Sequence, residues 1–304
     1  MNTVLITGGT GLVGRALSKM LAENGYKVIV LTRKIPSSST NPSISYARWD
    51  IKNAYIDPAA IQQADCIIHL AGAGVMDHAW TEAYKKEIVE SRASSAKLLL
   101  TSLQQNSHKV KSIISASAIG WYGKSEHAHR EEEEADDSFL GNTCKAWEES
   151  IQSAQSLGIR LVTLRIGIVL SKEGGALKEF LKPLQYRIAA ILGNGRQIIS
   201  WIHIEDLCRL FSFAIENEKL GGIYNAVAAL PVSNKDLTIT LAQEKGLSFY
   251  LPLHIPAFVL KLLLGGRSIE VLKSANISNK KIEAAGFQFK FNTIEAALKN
   301  IVTN

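Results

Sequence analysis

Three glycines near the start of the chain have a spacing that could hold a phosphate group. Gly8, Gly11 and Gly14 follow the apolar run 4–7 and precede a segment, 15–24, with the pattern of an amphipathic helix. The first glycine would permit a tight turn, the second a close approach to a pyrophosphate, and the third close packing of helix on strand. The helix would present free N–H groups and its positive dipole end to the anion. The pattern predicts a dinucleotide-binding turn made by Gly8, Thr10, Gly11, Leu12, Val13 and Gly14.

The end of the next apolar run, 27–31, indicates which dinucleotide such a turn would hold. Sites that prefer NAD usually carry an Asp or Glu here, which accepts a hydrogen bond from the ribose 2′-hydroxyl. This chain has Thr32, Arg33 and Lys34 instead, with no acid. A guanidinium and an ammonium can pair with a 2′-phosphate, so we predict NADP(H) in preference to NAD(H). The alternative is that both basic residues are solvated and merely open a loop.

Two further strand ends are predicted to complete the cofactor site. Asp50 follows the predicted strand 45–49 and could lie at the adenine edge. The buried run 65–72 ends in small residues, and the carboxyl ends of parallel strands face the ligand in such sheets. We therefore expect the ribose side to be lined by Leu70, Ala71 and Gly72. His69 lies inside the apolar run, which favours a core histidine over a catalyst.

The elements that must position these residues alternate along the first two thirds of the chain. Apolar runs at 4–7, 27–31, 65–72, 112–117, 160–170 and 222–227 alternate with helical patterns at 15–24, 81–105 and 139–156. This order predicts an α/β fold with a doubly wound, mostly parallel Rossmann sheet. The alternation becomes irregular after residue 170. We predict a Rossmann domain over 1–170, to which 200–228 returns, and a smaller C-terminal α/β substrate domain over 171–304.

Composition narrows the class of protein. The 304 residues can bury a large core, and the net charge of +6 comes from scattered basic residues, which does not favour nucleic-acid binding. Three widely spaced cysteines suggest neither disulfides nor zinc, and they fit a reducing, cytoplasmic location. The apolar stretch 255–264 is too short to cross a bilayer. The four glutamates at 131–134 are predicted to be a solvated loop, because adjacent carboxylates cannot easily converge on one ion, and no metal site is expected.

Motifs spread over nearly the whole chain carry a resemblance to a known superfamily. They are TGGTGLVG at 7–14, HLAG at 69–72, SR at 91–92, SASAIGWYG at 115–123, WE at 147–148, LRIGIVL at 164–170, GNGRQ at 193–197, SWIHIED at 200–206 and GFQF at 286–289. With these motifs the chain resembles the extended short-chain dehydrogenase/reductases, which include NAD(P)-dependent sugar epimerases and dehydratases. More narrowly, it resembles the epimerase-like subfamily that carries a C-terminal domain of unknown function.

The resemblance implies a catalytic Ser, Tyr and Lys, of which only the first is present. In the superfamily the Tyr is the acid/base, and a Lys four residues later lowers its pKa. Ser117 falls at the Ser position, with Ser115 as the alternative, but Cys144 stands where the Tyr belongs and Glu148 where the Lys belongs. A glutamate cannot lower the pKa of a neighbouring acid, because a negative charge has the opposite effect. The Tyr-x-x-x-Lys pair is therefore absent.

Two explanations of this absence compete. In the first, the protein is an oxidoreductase or epimerase for a small polar, sugar-like substrate and uses another acid/base, with Tyr122 as the best candidate and His203 as another. In the second, it is a non-catalytic NADP(H)-binding regulatory or sensor module. The alternative for Tyr122 is a pocket wall or a structural hydroxyl. Cys144 as a nucleophile is weaker, since a lone helical cysteine is usually inert.

The resemblance also places further residues near the ligands. It implies that Ser117, Tyr122 and the segment after Arg165 approach the nicotinamide, with Ser115, Arg165 and Gly167 on the cofactor side. For the substrate pocket we predict Trp80, Arg92 and Trp201. The superfamily often forms dimers through helices at one edge, so a homodimer is compatible with the resemblance.

Overall fold

One large sheet forms the centre of the molecule, and its strands are the buried apolar runs of the sequence. The computed structural model describes residues 3–37, 41–125 and 127–303. The sheet has eight strands in the order β12-β7-β6-β5-β1-β2-β3-β4, and every pairing is parallel except β3 with β4. The strands are β1 (Thr3–Thr7), β2 (Lys27–Thr32), β3 (Ile44–Asp50), β4 (Tyr55–Ile56), β5 (Cys66–His69), β6 (Ser112–Ala118), β7 (Arg160–Ile166) and β12 (Gly222–Ala226). The predicted Rossmann-type α/β fold is confirmed.

The strand order reverses direction at the N-terminal strand. β1 pairs with β2 on one side and with β5 on the other, so the chain winds outward in both directions from β1. A crevice opens outside the carboxyl ends of the strands at such a switch point, and ligands bind there in doubly wound sheets. The glycine turn follows β1 directly and therefore lies at this crevice.

Helices cover both faces of the sheet and bury two apolar clusters against it. One cluster includes Leu17 and Leu21 of the first helix together with Phe211, and the other includes Leu99 and Leu103 of the long third helix. The helical pattern at 81–105, which is compatible with one long helix or two, forms a single helix whose first turn is capped by Thr81. The helices of this part are α1 (Leu12–Glu23), α2 (Pro58–Gln63), α3 (Glu82–Gln105), α4 (Phe139–Gln152) and α6 (Ile204–Glu216). Short 3₁₀ turns cover Ile119–Trp121 and Ser153–Leu157.

The rest of the chain builds three two-stranded pairs and several short helices around a third apolar cluster that includes Trp201, Leu237 and Leu298. The strands are β8 (Ile168–Leu170), β9 (Ile188–Leu192), β10 (Ile198–Ile199), β11 (Trp201–His203), β13 (Val232–Ser233) and β14 (Leu251–Ile255), paired as β8–β11, β9–β14 and β10–β13. The helices are α5 (Ala176–Leu184), α7 (Asn234–Glu244), α8 (Ala257–Leu264), α9 (Ser268–Leu272), α10 (Lys280–Ala284) and α11 (Ile294–Thr303), with a 3₁₀ turn at Gly265–Arg267. The domain division at residue 170 stays a prediction.

Two further observations concern the cysteines and the length and polarity of the helices. The three cysteines are buried and free. Within the described ranges, every helix is too short or too polar to traverse a bilayer.

Candidate functional site

The turn after β1 leaves the start of α1 open to a ligand. Gly11 is the N-cap and no side chain caps the helix, so its first N–H groups lack a side-chain acceptor. Gly8 has a φ of +69°, and a Cβ there would lie 2.8 Å from the Leu70 carbonyl. A Cβ on Gly14 would lie 2.4 Å from the Gly8 oxygen, so helix and turn touch closely. Thr10 and Gly11 are exposed at the turn, and Leu12 and Val13 are half-buried.

The end of β2 presents the two predicted basic side chains to solvent. Thr32 is buried, and its hydroxyl exchanges hydrogen bonds with the backbone of Lys34, which shapes the bend after the strand. Arg33 and Lys34 are exposed and make no ion pair with any residue that the structure describes. The positive charge at this point of the crevice is therefore not neutralised by those residues.

The neighbouring strand ends lie in the same row. Asp50 ends β3, and its carboxylate accepts hydrogen bonds from Asn53 and the Lys52 backbone, which lower its pKa. After β5, the amides of Leu70 and Ala71 donate to the Thr7 hydroxyl, so this loop is tied to the end of β1. Leu70 is half-buried, Ala71 is buried and Gly72 is exposed. The predicted cofactor residues of β1, β2, β3 and β5 thus share one edge of the sheet.

His69 is a core histidine, as the sequence favours. Its ring is fully buried, with Nδ1 2.8 Å from the Thr7 hydroxyl and Nε2 3.4 Å from the Ser95 hydroxyl. The Thr7 oxygen already accepts from two amides, so its own hydrogen is donated to Nδ1. Burial, and secondarily the charge of Arg92, lower the pKa of His69 to about 4. The imidazole is therefore neutral at pH 7 and supports the turn rather than the chemistry.

A second group of polar side chains lies at the carboxyl ends of three adjacent strands. Ser117 of β6, Arg165 of β7 and Asn225 of β12 are register partners across the sheet. All three are buried, with exposures of 2%, 1% and 0%. Parallel strands in register bring such residues side by side on one face of the sheet. Their positions in the sequence alone do not show that they are neighbours.

Arg165 is the centre of this buried network. Its Nε and Nη2 donate to the two oxygens of Glu148 on α4, at 2.8 and 3.0 Å. Its Nη1 donates to the Tyr122 hydroxyl at 2.9 Å and to the Glu131 carbonyl at 3.1 Å. The guanidinium also stacks over the Trp121 ring at 3.6 Å. Its nitrogens are thus engaged within the protein, so the predicted contact of Arg165 with the cofactor is not supported.

The position that resemblance assigns to the catalytic lysine therefore holds the acidic half of an ion pair. Glu148 accepts from Arg165 and also from the Ser117 hydroxyl, at 2.6 Å. The bidentate geometry is the strongest form of an arginine–carboxylate contact. Helix α4 has no lysine at this position, and the positive charge nearby belongs to Arg165 of strand β7. That charge is paired with Glu148.

Tyr122, predicted as an acid/base candidate, has a hydroxyl that is part of the buried hydrogen-bond network. Its side chain is 1% exposed, and its hydroxyl donates to Asn225 Oδ1 at 2.7 Å while accepting from Arg165. Burial raises the pKa of Tyr122 to about 12, even though Arg165 opposes the shift. The raised pKa keeps the phenol from acting as a base at neutral pH, and its buried hydroxyl donates its hydrogen to Asn225 and not to a ligand.

Cys144 is equally unsuited to chemistry. It is buried, its thiol donates to the Ala118 carbonyl, and burial raises its pKa to about 11. The thiolate, which is the nucleophile, is therefore scarce near pH 7. His203 caps α6 by accepting from the Glu205 amide, as its place before a helix suggests.

The three predicted substrate residues separate into two groups. Trp80 is half-buried, packs on Phe139 and donates to the Val75 carbonyl, while the buried Arg92 stacks over Trp147. Both therefore contact helix α4. Trp201 is wrong as a pocket wall, because it is 0% exposed and lies in the C-terminal core with its Nε1 bonded to Leu230.

The remaining predictions and omissions follow from the same network. Ser115 is 1% exposed and its hydroxyl donates to the Ala116 carbonyl, which removes it from the ligand edge. Gly167 is half-buried, and a Cβ there would lie 2.7 Å from the Ser200 oxygen. The solvated loop predicted for 131–134 is wrong at Glu131, which is 7% exposed and accepts from the Asn225 amide. The sequence does not predict Glu131 and Asn225 as site residues, because a loop residue and a strand residue 94 positions apart meet only in the folded chain.

Comparisons with known proteins agree with this architecture. The model of the NAD dependent epimerase/dehydratase family matches residues 4–226, and a domain of unknown function, DUF1731, matches residues 255–301. Epimerase family protein YfhF of Bacillus subtilis (strain 168) is 32% identical over 303 residues, covering 99% of this chain and 98% of that protein.

Two solved structures are similar over nearly the whole chain. The crystal structure of human epimerase family protein SDR39U1 (isoform 2) with NADPH has a TM-score of 0.88 and 28% identity, covering 99% of both chains. A nucleoside-diphosphate sugar epimerase from Corynebacterium glutamicum has a TM-score of 0.78 and 32% identity, covering 99% of this chain and 58% of that one.

Proposed function

The chain belongs to the NAD-dependent epimerase/dehydratase family, and from that premise we propose that it is an NADP(H)-binding, epimerase-like oxidoreductase that works without a Tyr-x-x-x-Lys pair. The observation that carries the proposal is the uncapped start of α1 beside the exposed pair Arg33 and Lys34. The helix start offers N–H groups to a pyrophosphate, and the basic pair offers charge to a 2′-phosphate. The human relative that contains NADPH supports the same choice of cofactor.

The cofactor would lie along the row of strand ends, with the turn on its pyrophosphate, Asp50 at the adenine and Leu70 to Gly72 on the ribose side. A bound NADPH supplies a hydride to an acceptor, or removes one in its oxidised form. The substrate is proposed to be small and polar, such as a sugar, and the relative described as a nucleoside-diphosphate sugar epimerase supports that class. Trp80 and Arg92 remain candidates for the substrate side, since both contact α4.

A second candidate function is a cofactor-binding module without catalysis. The observation that favours it is the engagement of Ser117, Tyr122 and Cys144 in buried hydrogen bonds. With pKa values raised to about 12 and about 11, the phenol and the thiol hold their protons at neutral pH. Neither group can therefore act as a base, and the hydrogens of both are donated within the protein, whereas a module needs no acid or base at all.

Transfer of deuterium separates the two functions. NADPH deuterated at the nicotinamide would be incubated with a panel of sugar nucleotides and small carbonyl compounds, and the products analysed by mass spectrometry. The oxidoreductase is expected to place deuterium in a product. The pH profile between about 6 and 9 should be the same in Tyr122→Phe, because Tyr122 stays neutral over that range.

Two results would decide against parts of this account. Binding of NADPH with no transfer across the panel would favour the module. A pH profile that loses its basic limb in Tyr122→Phe would restore Tyr122 as an acid/base. Lys178→Gln, a change at an exposed residue of α5, serves as a control for variation between preparations.

A further inference from the structure

We propose that His127, His129 and Glu133 form a binding site for a divalent transition-metal ion, best matched by Zn²⁺. The ligand atoms of these three residues all lie within 4.8 Å of one another. Two imidazoles and one carboxylate are a donor set that zinc prefers, with a water molecule in the fourth position. The site lies in the segment between β6 and α4.

Each of the three ligands is oriented by a hydrogen bond on its far side. His127 Nδ1 lies 2.7 Å from the Ser125 hydroxyl, and His129 Nε2 lies 2.9 Å from the Gly123 carbonyl. Glu133 Oε1 accepts from the backbone amide of Arg130 at 2.8 Å. Metal-binding histidines are held in this way, through the ring nitrogen that does not touch the ion.

The hydrogen positions on His129 leave a place for a cation. A carbonyl oxygen can only accept, so Nε2 carries the hydrogen that points to Gly123. The opposite nitrogen, Nδ1, then faces Glu133 Oε2 at 2.5 Å. Two lone pairs cannot face each other at that distance, so a hydrogen lies between the two atoms. A metal ion would take the place of that hydrogen and move the two atoms apart.

A hydrogen bond between His129 and Glu133 does not account for the position of the third residue. His127 takes no part in that bond, yet its Nε2 lies 3.7 Å from Glu133 Oε1. A metal ion would join all three. Tetrahedral zinc with bonds near 2.1 Å keeps its ligand atoms about 3.4 Å apart, and the observed spacings of 2.5, 3.7 and up to 4.8 Å bracket that value.

The exposures of the three side chains would allow their ligand atoms to move to the spacing that zinc requires. His129 is 7% exposed and Glu133 34%, whereas His127 is 73% exposed at the open side. The exposed His127 ring can therefore rotate toward His129 and Glu133 without disturbing the core. The glutamate run by itself does not predict this site, because Glu131 is buried against Asn225 and only Glu133 turns toward the histidines.

The ion would stabilise the loop between β6 and α4, which contacts Arg165. The His129 ring stacks on Tyr122 with centroids 5.0 Å apart, and the loop passes from Gly123 to Glu131, whose carbonyl accepts from Arg165. Binding would thus join the loop's histidines to its glutamate beside a buried ion pair. The role we assign to the metal is to order this loop.

Metal titration of the untagged full chain tests the site. We expect one equivalent of Zn²⁺ to bind by calorimetry, and Co²⁺ to give the visible absorption of a tetrahedral ion without a thiolate charge-transfer band. His129→Ala and Glu133→Gln should abolish saturable binding. Ser125→Ala, which removes an outer hydrogen bond, should weaken it about tenfold. His254→Ala, at an exposed histidine outside the cluster, should bind like the wild type.

His127→Ala keeps the test decisive if a buried variant fails to fold, because this side chain is 73% exposed. It should weaken Zn²⁺ binding at least about tenfold while the melting temperature without metal stays unchanged. Hydrogen exchange in 123–134 should slow with Zn²⁺ in the wild type but not in this variant. The absence of stoichiometric binding, or equal binding by His127→Ala and the wild type, would overturn the proposal in favour of a plain ion pair.

Discussion

Arg165→Ala should lower the free energy of unfolding by about 3–5 kcal/mol. The substitution leaves the Glu148 carboxylate, which is 9% exposed, without its bidentate partner. It also removes a donor to the Tyr122 hydroxyl and the stacking on Trp121. An unpaired buried charge cannot be hydrated, so its desolvation is no longer offset.

Urea unfolding at pH 7 measures this effect. Arg130→Ala, which removes an exposed arginine side chain nearby, should change stability by less than about 0.5 kcal/mol. The double variant Arg165→Met with Glu148→Leu removes both charges and should recover most of the loss. A loss below about 1 kcal/mol for Arg165→Ala would show that water reaches Glu148, and the buried network would then be wrong.

Acidification should destabilise the protein through His69. Its pKa is lowered from 6.5 to about 4 in the folded state, so between these values the unfolded chain binds a proton that the folded chain refuses. Stability is therefore complete above pH 6.5 and is lost as the pH falls toward 4. The expected loss from this residue between pH 7.5 and pH 5 is about 2 kcal/mol. Protonation of Nδ1 also breaks the hydrogen bond from Thr7 below the glycine turn.

The measurement compares urea unfolding of the wild type and His69→Gln at both pH values. Other groups also titrate in this range, including His203, whose pKa burial lowers as well. Their contributions are common to both proteins and cancel in the difference. The variant should be less stable at pH 7.5 but should lose about 2 kcal/mol less on acidification. Parallel pH profiles would mean that His69 is protonated in the folded protein.

Local patterns were sufficient for the fold of the N-terminal part. The β-branched run at 4–7, the glycines after it and the long helical pattern after residue 81 each correspond to one element in the structure. Such elements are specified by their own periodicity and end signals. The elements after residue 170 are shorter, and helix α5 with Pro183 inside it lacked any such signal. Their formation depends on packing around Trp201, which sequence spacing does not reveal.

Sequence patterns predict one part of the candidate site but not the other. The cofactor edge could be predicted, because its residues follow strands whose ends must meet at a switch point. The absence of a Tyr-x-x-x-Lys pair was also visible from positions 144 and 148. The partner of Glu148 was not, since Arg165 reaches helix α4 from strand β7 and only strand register aligns Ser117, Arg165 and Asn225. The sequence does not exclude Tyr122 as an acid/base, because the burial that raises its pKa is a property of the folded chain.

Titration of the wild type and Arg33→Asp with NADPH and NADH, followed by nicotinamide fluorescence, measures the cofactor preference. Arg196→Asp, an equal change of charge at another exposed arginine, is the control. The wild type and the control should bind NADPH more tightly than NADH. Arg33→Asp should shift the ratio of dissociation constants toward NADH by at least about tenfold, the value of one charge-assisted hydrogen bond. Equal or tighter binding of NADH by the wild type, or a ratio unchanged by Arg33→Asp, would contradict NADP(H) binding through the end of β2.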